Sequence, residues 1–293
     1  MFDNTYKQIV IISGKGGTGK TTLSAALASL IDKKVIIDCD VDAANLYLIL
    51  KPEIIHSYEF YGGKRASINR SKCEECGICE TVCRFDAINN YTINQLSCEG
   101  CGLCFRICPY GAIQFNTKKS GYYFECELPD KSKFYYAKLL PGEGNSGKLV
   151  SEIKRKALEN ISSDIEWVIV DGPPGVGCPV NASIAAADYA VIVTEPTVSG
   201  IHDLTRLVQL LNTFKIHAGI VINKYDLNEN ITSQIIKYAN SENIPIIGTI
   251  PFDIEFVNAL INKENVVDTN EKIRKEIQTI WRQLELQIEI SIN

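Results

Sequence analysis

The run Gln8-Ile-Val-Ile-Ile-Ser13 passes directly into Gly14-Lys-Gly-Gly-Thr-Gly-Lys-Thr21 and then into Thr22-Leu-Ser-Ala-Ala-Leu-Ala28. The middle stretch fits G-x-x-x-x-G-K-[ST]. Its flanks read as a buried strand and a helix of good propensity, the two contexts a phosphate-binding loop requires. The glycines let backbone N–H groups face phosphate oxygens, Lys20 puts a charge on the β and γ groups, and Thr21 offers a hydroxyl to Mg²⁺ at the helix N-terminus. Gly14, Lys15, Gly16, Gly17, Thr18, Gly19, Lys20, Thr21 and Thr22 are therefore the expected phosphate-binding residues. A near match, Gly142-Glu-Gly-Asn-Ser-Gly-Lys148, has Leu149 in place of the hydroxyl and no buried strand before it, so it reads as a loop and a helix start.

Working outward, similar apolar runs recur at Val35–Asp38, Trp167–Asp171, Ala190–Thr194, Ala218–Asn223 and Pro245–Gly248, with helical patterns such as Thr21–Ile31 and Ile201–Leu211 between them. That alternation predicts an α/β fold, a doubly wound and mostly parallel sheet with helices on both faces. The 293 residues, 45% hydrophobic and 22% charged, allow one large α/β domain plus a smaller one and exclude disorder as the default state. A formal charge of −5 gives no bulk attraction to nucleic acid or an anionic membrane, so neither is an expected partner. No window approaches the ~18 consecutive apolar residues of a spanning helix. The opening MFDNTYKQIV lacks the pattern of a secretion signal, so a cytoplasmic, reducing compartment is expected. There the 11 cysteines read as metal ligands rather than disulfides.

From about Ser57 to Asn116 the β/α rhythm stops, and eight of the cysteines fall within it. The stretch repeats itself with an offset of 25: Cys73, Cys76, Cys79, Cys83, Ala87 and Ile88 recur as Cys98, Cys101, Cys104, Cys108, Ala112 and Ile113. A doubled short unit implies two equivalent sites. The expected organisation is residues 1–56 and 117–293 as one domain, with 57–116 as an insert. Gly121–Leu140, rich in Tyr and Phe, reads as a hairpin returning to the main domain.

The extra lysine, Lys15, sits where an ordinary phosphate loop needs no charge; on its own it reads as a solvated loop residue. With it, however, the loop resembles that of the MinD/ParA and nitrogenase iron protein group, the deviant Walker A ATPases of the SIMIBI class, whose pattern is K-G-G-x-G-K-[ST]. The resemblance implies ATP and Mg²⁺ as ligands and a nucleotide-dependent homodimer, or a heterodimer with a paralogue. In such a dimer Lys15 reaches the partner's phosphates as an arginine finger does. Asp38-Cys-Asp-Val-Asp-Ala-Ala-Asn45 resembles the family's switch I, which implies that Asp40 orients or deprotonates the attacking water and that Asp38 lies near the Mg²⁺ shell. Trp167–Gly175 resembles the Walker B strand and switch II, with Asp171 holding Mg²⁺ through water. Lys15, Lys20 and Asp40 are thus the expected catalytic residues, and Thr21, Asp38 and Asp171 the Mg²⁺ set. Asn223-Lys-Tyr-Asp226 spells N-K-x-D, the pattern with which many GTPases read guanine. The resemblance places adenine on Asn223 and Lys224 and on the loop holding Pro251 and Asp253. ATP is the expected nucleotide, and Asp226 is the residue that keeps GTP in play.

Each cysteine repeat is C-x2-C-x2-C-x3-C and resembles the run of bacterial dicluster ferredoxins, small α+β domains in which three cysteines hold one [4Fe–4S] cluster and the fourth reaches the other. The resemblance implies two [4Fe–4S] clusters, one on Cys73, Cys76, Cys79 and Cys108 and one on Cys98, Cys101, Cys104 and Cys83. Zinc is the rival ligand, since four-cysteine zinc sites also use C-x2-C pairs. One departure is that Cys108 is followed by the usual proline, Pro109, but Cys83 by Arg84. Of the remaining cysteines, Cys39 and Cys126 read as packed side chains. Cys178, on the switch II loop, reads as packing, as a ligand to a third cluster bridging two subunits, or as a residue of redox or transfer chemistry. His56, His202 and His217 have no ligand spacing. The stretch Ile273, Ile277, Ile280, Trp281, Leu284 and Ile288 has helical spacing with no basic bias, so a helix docked on its own domain is expected rather than a membrane anchor.

Three functions are compatible with this sequence. The leading one is an ATPase whose cycle gates electron delivery from two clusters to a protein redox partner. The others are a carrier of Fe–S clusters, as in the Mrp-type ATPases, and a positioning ATPase of the MinD/ParA kind with redox sensing.

Overall fold

The computed structural model describes residues 6–159 and 161–292, so the opening Met1–Thr5 lies outside the described residues. Thirteen strands occur in order: β1 Lys7–Ser13, β2 Lys34–Asp38, β3 Glu53–Phe60, β4 Gly63–Ile68, β5 Ile88–Asn89, β6 Thr92–Ile93, β7 Ile113–Lys118, β8 Gly121–Glu127, β9 Lys133–Leu139, β10 Trp167–Pro174, β11 Tyr189–Thr194, β12 His217–Asn223 and β13 Ile246–Ile250. The helices are α1 Lys20–Leu30, α2 Leu46–Leu50, α3 Ile78–Thr81, α4 Leu103–Ile107, α5 Ser146–Leu158, α6 Cys178–Ile184, α7 Val198–Phe214, α8 Glu229–Ser241, α9 Ile254–Ile261, α10 Val266–Thr269 and α11 Glu271–Ile292.

The chain divides into two compact units, one of residues 1–57, 123–138 and 146–293, the other of residues 58–122 and 139–145. The large sheet runs β13-β12-β11-β1-β10-β2-β9-β8-β3. From β13 through β9 every pairing is parallel. Ile9 to Ile12, Val168 to Val170 and Ala190 to Val193 are all buried, as strands covered on both faces must be. β1 sits between β10 and β11; the chain leaves β1 toward β2 on one side and leaves β11 toward β12 on the other, so the loop after β1 opens at a topological switch point. The α11 residues Ile273, Ile277, Ile280, Leu284 and Ile288 are buried in the main core. Close packing there depends on Gly248, where a Cβ would stand 2.4 Å from Ile280 Cγ1. Trp281 meets Trp167 edge to face at 4.8 Å.

One strand of the large sheet has no counterpart in the sequence patterns. β3 is exposed along most of its length, so it lacks the apolar run that marks the buried strands. It extends the sheet across Ser57, where the rhythm of the sequence stops.

In the second unit β4 and β7 form an antiparallel pair, β5 and β6 a second, and α3 and α4 are single turns. Its 25-residue repeat extends to the backbone. Positive φ occurs at Glu75 and Gly100, at Gly77 and Gly102, and at Asp86 and Gly111, each pair one repeat apart. The buried apolar residues of 58–122 are Phe60, Ala66, Ala87, Ile88, Cys98, Ala112 and Ile113. So few cannot hold a unit of this size by burial alone, and such units normally carry a metal or disulfides. Every cysteine is free.

Candidate nucleotide and cysteine sites

The loop after β1 borders a cleft of about 650 Å³ lined by Gly16 to Thr22, Asp40, Asp42, Pro173 and Pro174 among others. That volume falls within the range of small-molecule sites. Gly19 caps α1 with φ +92°, and no side chain caps the helix, so its first amides face the cleft without an internal competitor. Gly19 is also required by contact, since a Cβ would stand 2.3 Å from Asn223 Nδ2. Thr18 Oγ1 is buried without a hydrogen-bond partner, as expected of a loop shaped for an absent polar ligand.

Below the loop, Asp171 within β10 is fully buried and collects three donors. Lys20 Nζ lies at 2.8 Å, Ser24 Oγ at 2.7 Å and Thr21 Oγ1 at 3.0 Å. Burial alone would lower the Lys20 ammonium, but Asp171 outweighs it and holds the charge. Thr21 and Asp171, two of the expected Mg²⁺ residues, are thus in contact. The third, Asp38, does not line the cleft. Its carboxylate is fully buried and accepts the amides of Asp40 at 3.0 Å and Leu46 at 3.3 Å, which fixes the backbone of the loop carrying Asp40. Burial, then proximity to Asp171, pushes Asp38 up to about 8. Asp40 lines the cleft, and burial raises it as well.

Lys15 points away from its own phosphate loop. Its ammonium lies 2.7 Å from Glu195 Oε1, 3.2 Å from Thr197 Oγ1 and 3.0 Å from Ser199 Oγ. Lys224 pairs with the other Glu195 oxygen at 3.2 Å and donates to Gly17 O at 3.3 Å, while Asn223 Nδ2 donates to Thr18 O at 2.8 Å. Asn223 and Lys224 border a second cavity together with Gly17, Gly19 and Thr22. Gly14 serves packing, because a Cβ there would collide with Asp203. Pro251 and Asp253 border neither cavity; Asp253 caps α9 by accepting Glu255 N at 2.9 Å. Asp226 accepts Phe252 N at 2.7 Å and so braces the loop after β13.

Two participants escape a motif reading. Ser24 lies one helical turn beyond Lys20, a spacing that could have flagged it. Glu195, at the end of buried β11, joins two lysines that no linear pattern pairs.

In the second unit, one cavity is bordered by Cys73, Cys76, Cys79 and Cys108, and another by Cys83, Cys98, Cys101 and Cys104. Each thus gathers three cysteines of one repeat and the fourth of the other. Ala87 N donates to Cys83 Sγ and Ala112 N to Cys108 Sγ, each at 3.4 Å. Burial raises the Cys79 and Cys104 thiols. At Cys108 burial acts the same way but is outweighed by amides led by Ala112, and its thiol lies below the ordinary range. Among the described residues no three His, Cys, Asp or Glu side chains converge as a site for one metal ion. Each thiol set borders a cavity instead.

Outside the repeats, Cys39 and Cys126 are buried and pushed by burial up to about 12, whereas Cys178 opens α6 and is exposed. Iodoacetamide at pH 8 is expected to alkylate Cys178 in the native protein and to modify Cys39 and Cys126 about 10³-fold more slowly. Peptide mass mapping against time checks this.

A glycine-rich loop between a central parallel strand and a helix, its lysine and threonine on a buried aspartate of the neighbouring strand, defines the class of P-loop nucleotide-binding proteins. Residues 9–266 match the CobQ/CobB/MinD/ParA nucleotide binding domain family. The chain belongs to that family. It is 37% identical over 280 residues to the uncharacterized protein MJ0578 of Methanocaldococcus jannaschii, covering 94% of this chain and 96% of that protein. It is 26% identical over 292 residues to the septum site-determining protein MinD of Synechocystis, covering 94% and 88%. Among solved structures, the MinC:MinD cell division protein complex of Aquifex aeolicus aligns with TM-score 0.57 at 22% identity, covering 95% of this chain and 96% of that one, a likeness of fold. No helix among the described residues is long and apolar enough to cross a membrane.

Proposed function

We propose that this protein is a MgATP-dependent ATPase whose nucleotide cycle gates electron transfer from two [4Fe–4S] clusters to a protein partner. The observation that carries the iron–sulfur half is the sorting of eight thiols into two cavities, each with the crossed fourth cysteine of a dicluster ferredoxin. Cys73, Cys76, Cys79 and Cys108 would hold one cluster, and Cys98, Cys101, Cys104 and Cys83 the other. The clusters supply one-electron chemistry when bound. The protein's part is to supply the thiolates, donate amides to their sulfurs and keep the sites compact.

For the ATPase half, Lys20 would leave Asp171 for the phosphates, freeing that carboxylate and the Thr21 hydroxyl for Mg²⁺. Asp40 stands at the cleft to align water. Lys15, held on Glu195, Thr197 and Ser199 in the single chain, would cross to the partner's nucleotide in a dimer. Such a dimer is nucleotide-dependent because the exchange of Lys15 partners requires a phosphate to receive it. Lys15→Ala is expected to lower ATP turnover at least ~100-fold and to abolish ATP-induced dimerisation while leaving MgATP binding to the monomer within about 3-fold. Unaltered turnover would overturn the cross-interface role.

A carrier reading has one observation in its favour, the exposed Cys178 at the head of α6 beside the switch II loop. Cluster transfer to an apo-acceptor that is lost in Cys178→Ser but survives loss of the eight repeat cysteines would place it first.

A further inference from the structure

We infer that the two four-cysteine sites differ in reduction potential, and that the site of Cys83, Cys98, Cys101 and Cys104 is the higher of the pair, set by Lys64 and Arg84. This rests on the reading of both sites as [4Fe–4S] centres.

The repeat makes the comparison internal. Glu74 and Glu99 occupy equivalent positions, each bordering its own cavity, and cancel. Glu75 and Gly100 do not. Glu75 adds a carboxylate beside the first cavity, whereas at Gly100 a Cβ would stand 2.1 Å from Lys64 O and 3.4 Å from Arg65 Nη1. The missing side chain is what lets β4 press against the turn of the second site. There Lys64 Nζ stands 5.7 Å from the centre of the Phe115 ring, which borders the second cavity.

The other break in the repeat has the same sign. Arg84 follows Cys83 where Pro109 follows Cys108, and its guanidinium lies 5.4 Å over Phe85, another wall of the second cavity. Among the described residues neither Lys64 nor Arg84 has an ion-pair partner, whereas Arg70, over the Tyr91 ring of the first cavity, is paired with Glu75 at 3.5 Å. Arg65 shares Glu143 with Lys118, at 3.7 and 2.5 Å. In the sequence Asp86 follows the second-site Cys83 by three residues, Lys72 and Glu80 flank the first-site run, and Arg106 lies between Cys104 and Cys108.

On balance the second site is the more positive. Positive charge stabilises the reduced cluster, which carries one more electron, and so raises its potential. An electron delivered by an external one-electron reductant therefore settles on the second site: the first centre, if reduced initially, is oxidised by one electron and the second reduced by one, with no other reactant.

The test is a potentiometric EPR titration of the full chain, purified anaerobically with its iron and poised with dithionite and mediators. Two one-electron steps are expected. Lys64→Gln with Arg84→Gln should lower the upper step and leave the lower in place. Glu75→Gly copies the residue of the second repeat and suits the positive φ at that position, so folding is preserved; it should raise the lower step alone. Two coincident steps, or movement of the wrong step in either variant, would overturn the inference in a protein that still holds about eight irons per chain. A chain without iron would instead refute the cluster reading beneath it.

Discussion

Lys20→Ala is expected to weaken MgATP binding by at least roughly 100-fold, the loss of a charge-assisted contact of about 3 kcal/mol. The reason is geometric. Lys20 is buried and stands on the Asp171 carboxylate within β10, at the head of a helix whose first amides face the cleft. The substitution also leaves Asp171 buried with only the Thr21 and Ser24 hydroxyls as side-chain donors, so unfolding should become easier by about 3 kcal/mol. Isothermal titration with MgATP and urea unfolding of the same variant separate the two effects. Undiminished binding in a folded variant would remove the loop from the nucleotide site.

The second large effect is expected on stripping iron with a chelator under reducing conditions. Residues 58–122 bury seven apolar side chains, of which three are alanine and one is cysteine, so on the proposed reading their order depends on what holds the thiols. Hydrogen exchange should accelerate at least ~100-fold across α3, α4 and β5 to β6 while β1, β10 and β11 keep their protection. Equal protection before and after would show that the thiols stabilise nothing. Acceleration throughout the chain would show that the two units do not unfold separately.

Much of this was legible in the sequence, and the reasons differ from place to place. Runs such as Val168 to Val170 announce themselves because a strand buried on both faces has no room for polar residues. The phosphate loop is equally plain, since its glycines answer to backbone constraints: Gly19 must adopt φ +92° against the Asn223 amide. The cysteine repeat reads so clearly because its offset governs the fold as well as the spacing, down to the paired positive φ angles. β3 is hidden for the opposite reason, an edge strand with little to bury.

The contacts of Lys15, Asp38 and Glu195 could not be read from motifs. Lys15 and Glu195 are 180 positions apart in the chain and meet only because β11 lies beside β1. Asp38 and Asp171 are in register on neighbouring strands, yet one accepts two backbone amides and the other the Lys20 ammonium. Which partner such a carboxylate finds depends on the loops around it, and no local pattern encodes that.

Coupling between the nucleotide cleft and the paired cysteine cavities is tested most directly by the EPR spectrum and reduction potential of the anaerobically purified, reduced protein, recorded without nucleotide and with MgATP. MgATP is expected to shift the potential of at least one centre or change its line shape, and the change is expected to be lost in Lys20→Ala. Identical spectra and potentials in both states, in a protein that binds MgATP and holds its iron, would contradict the coupling.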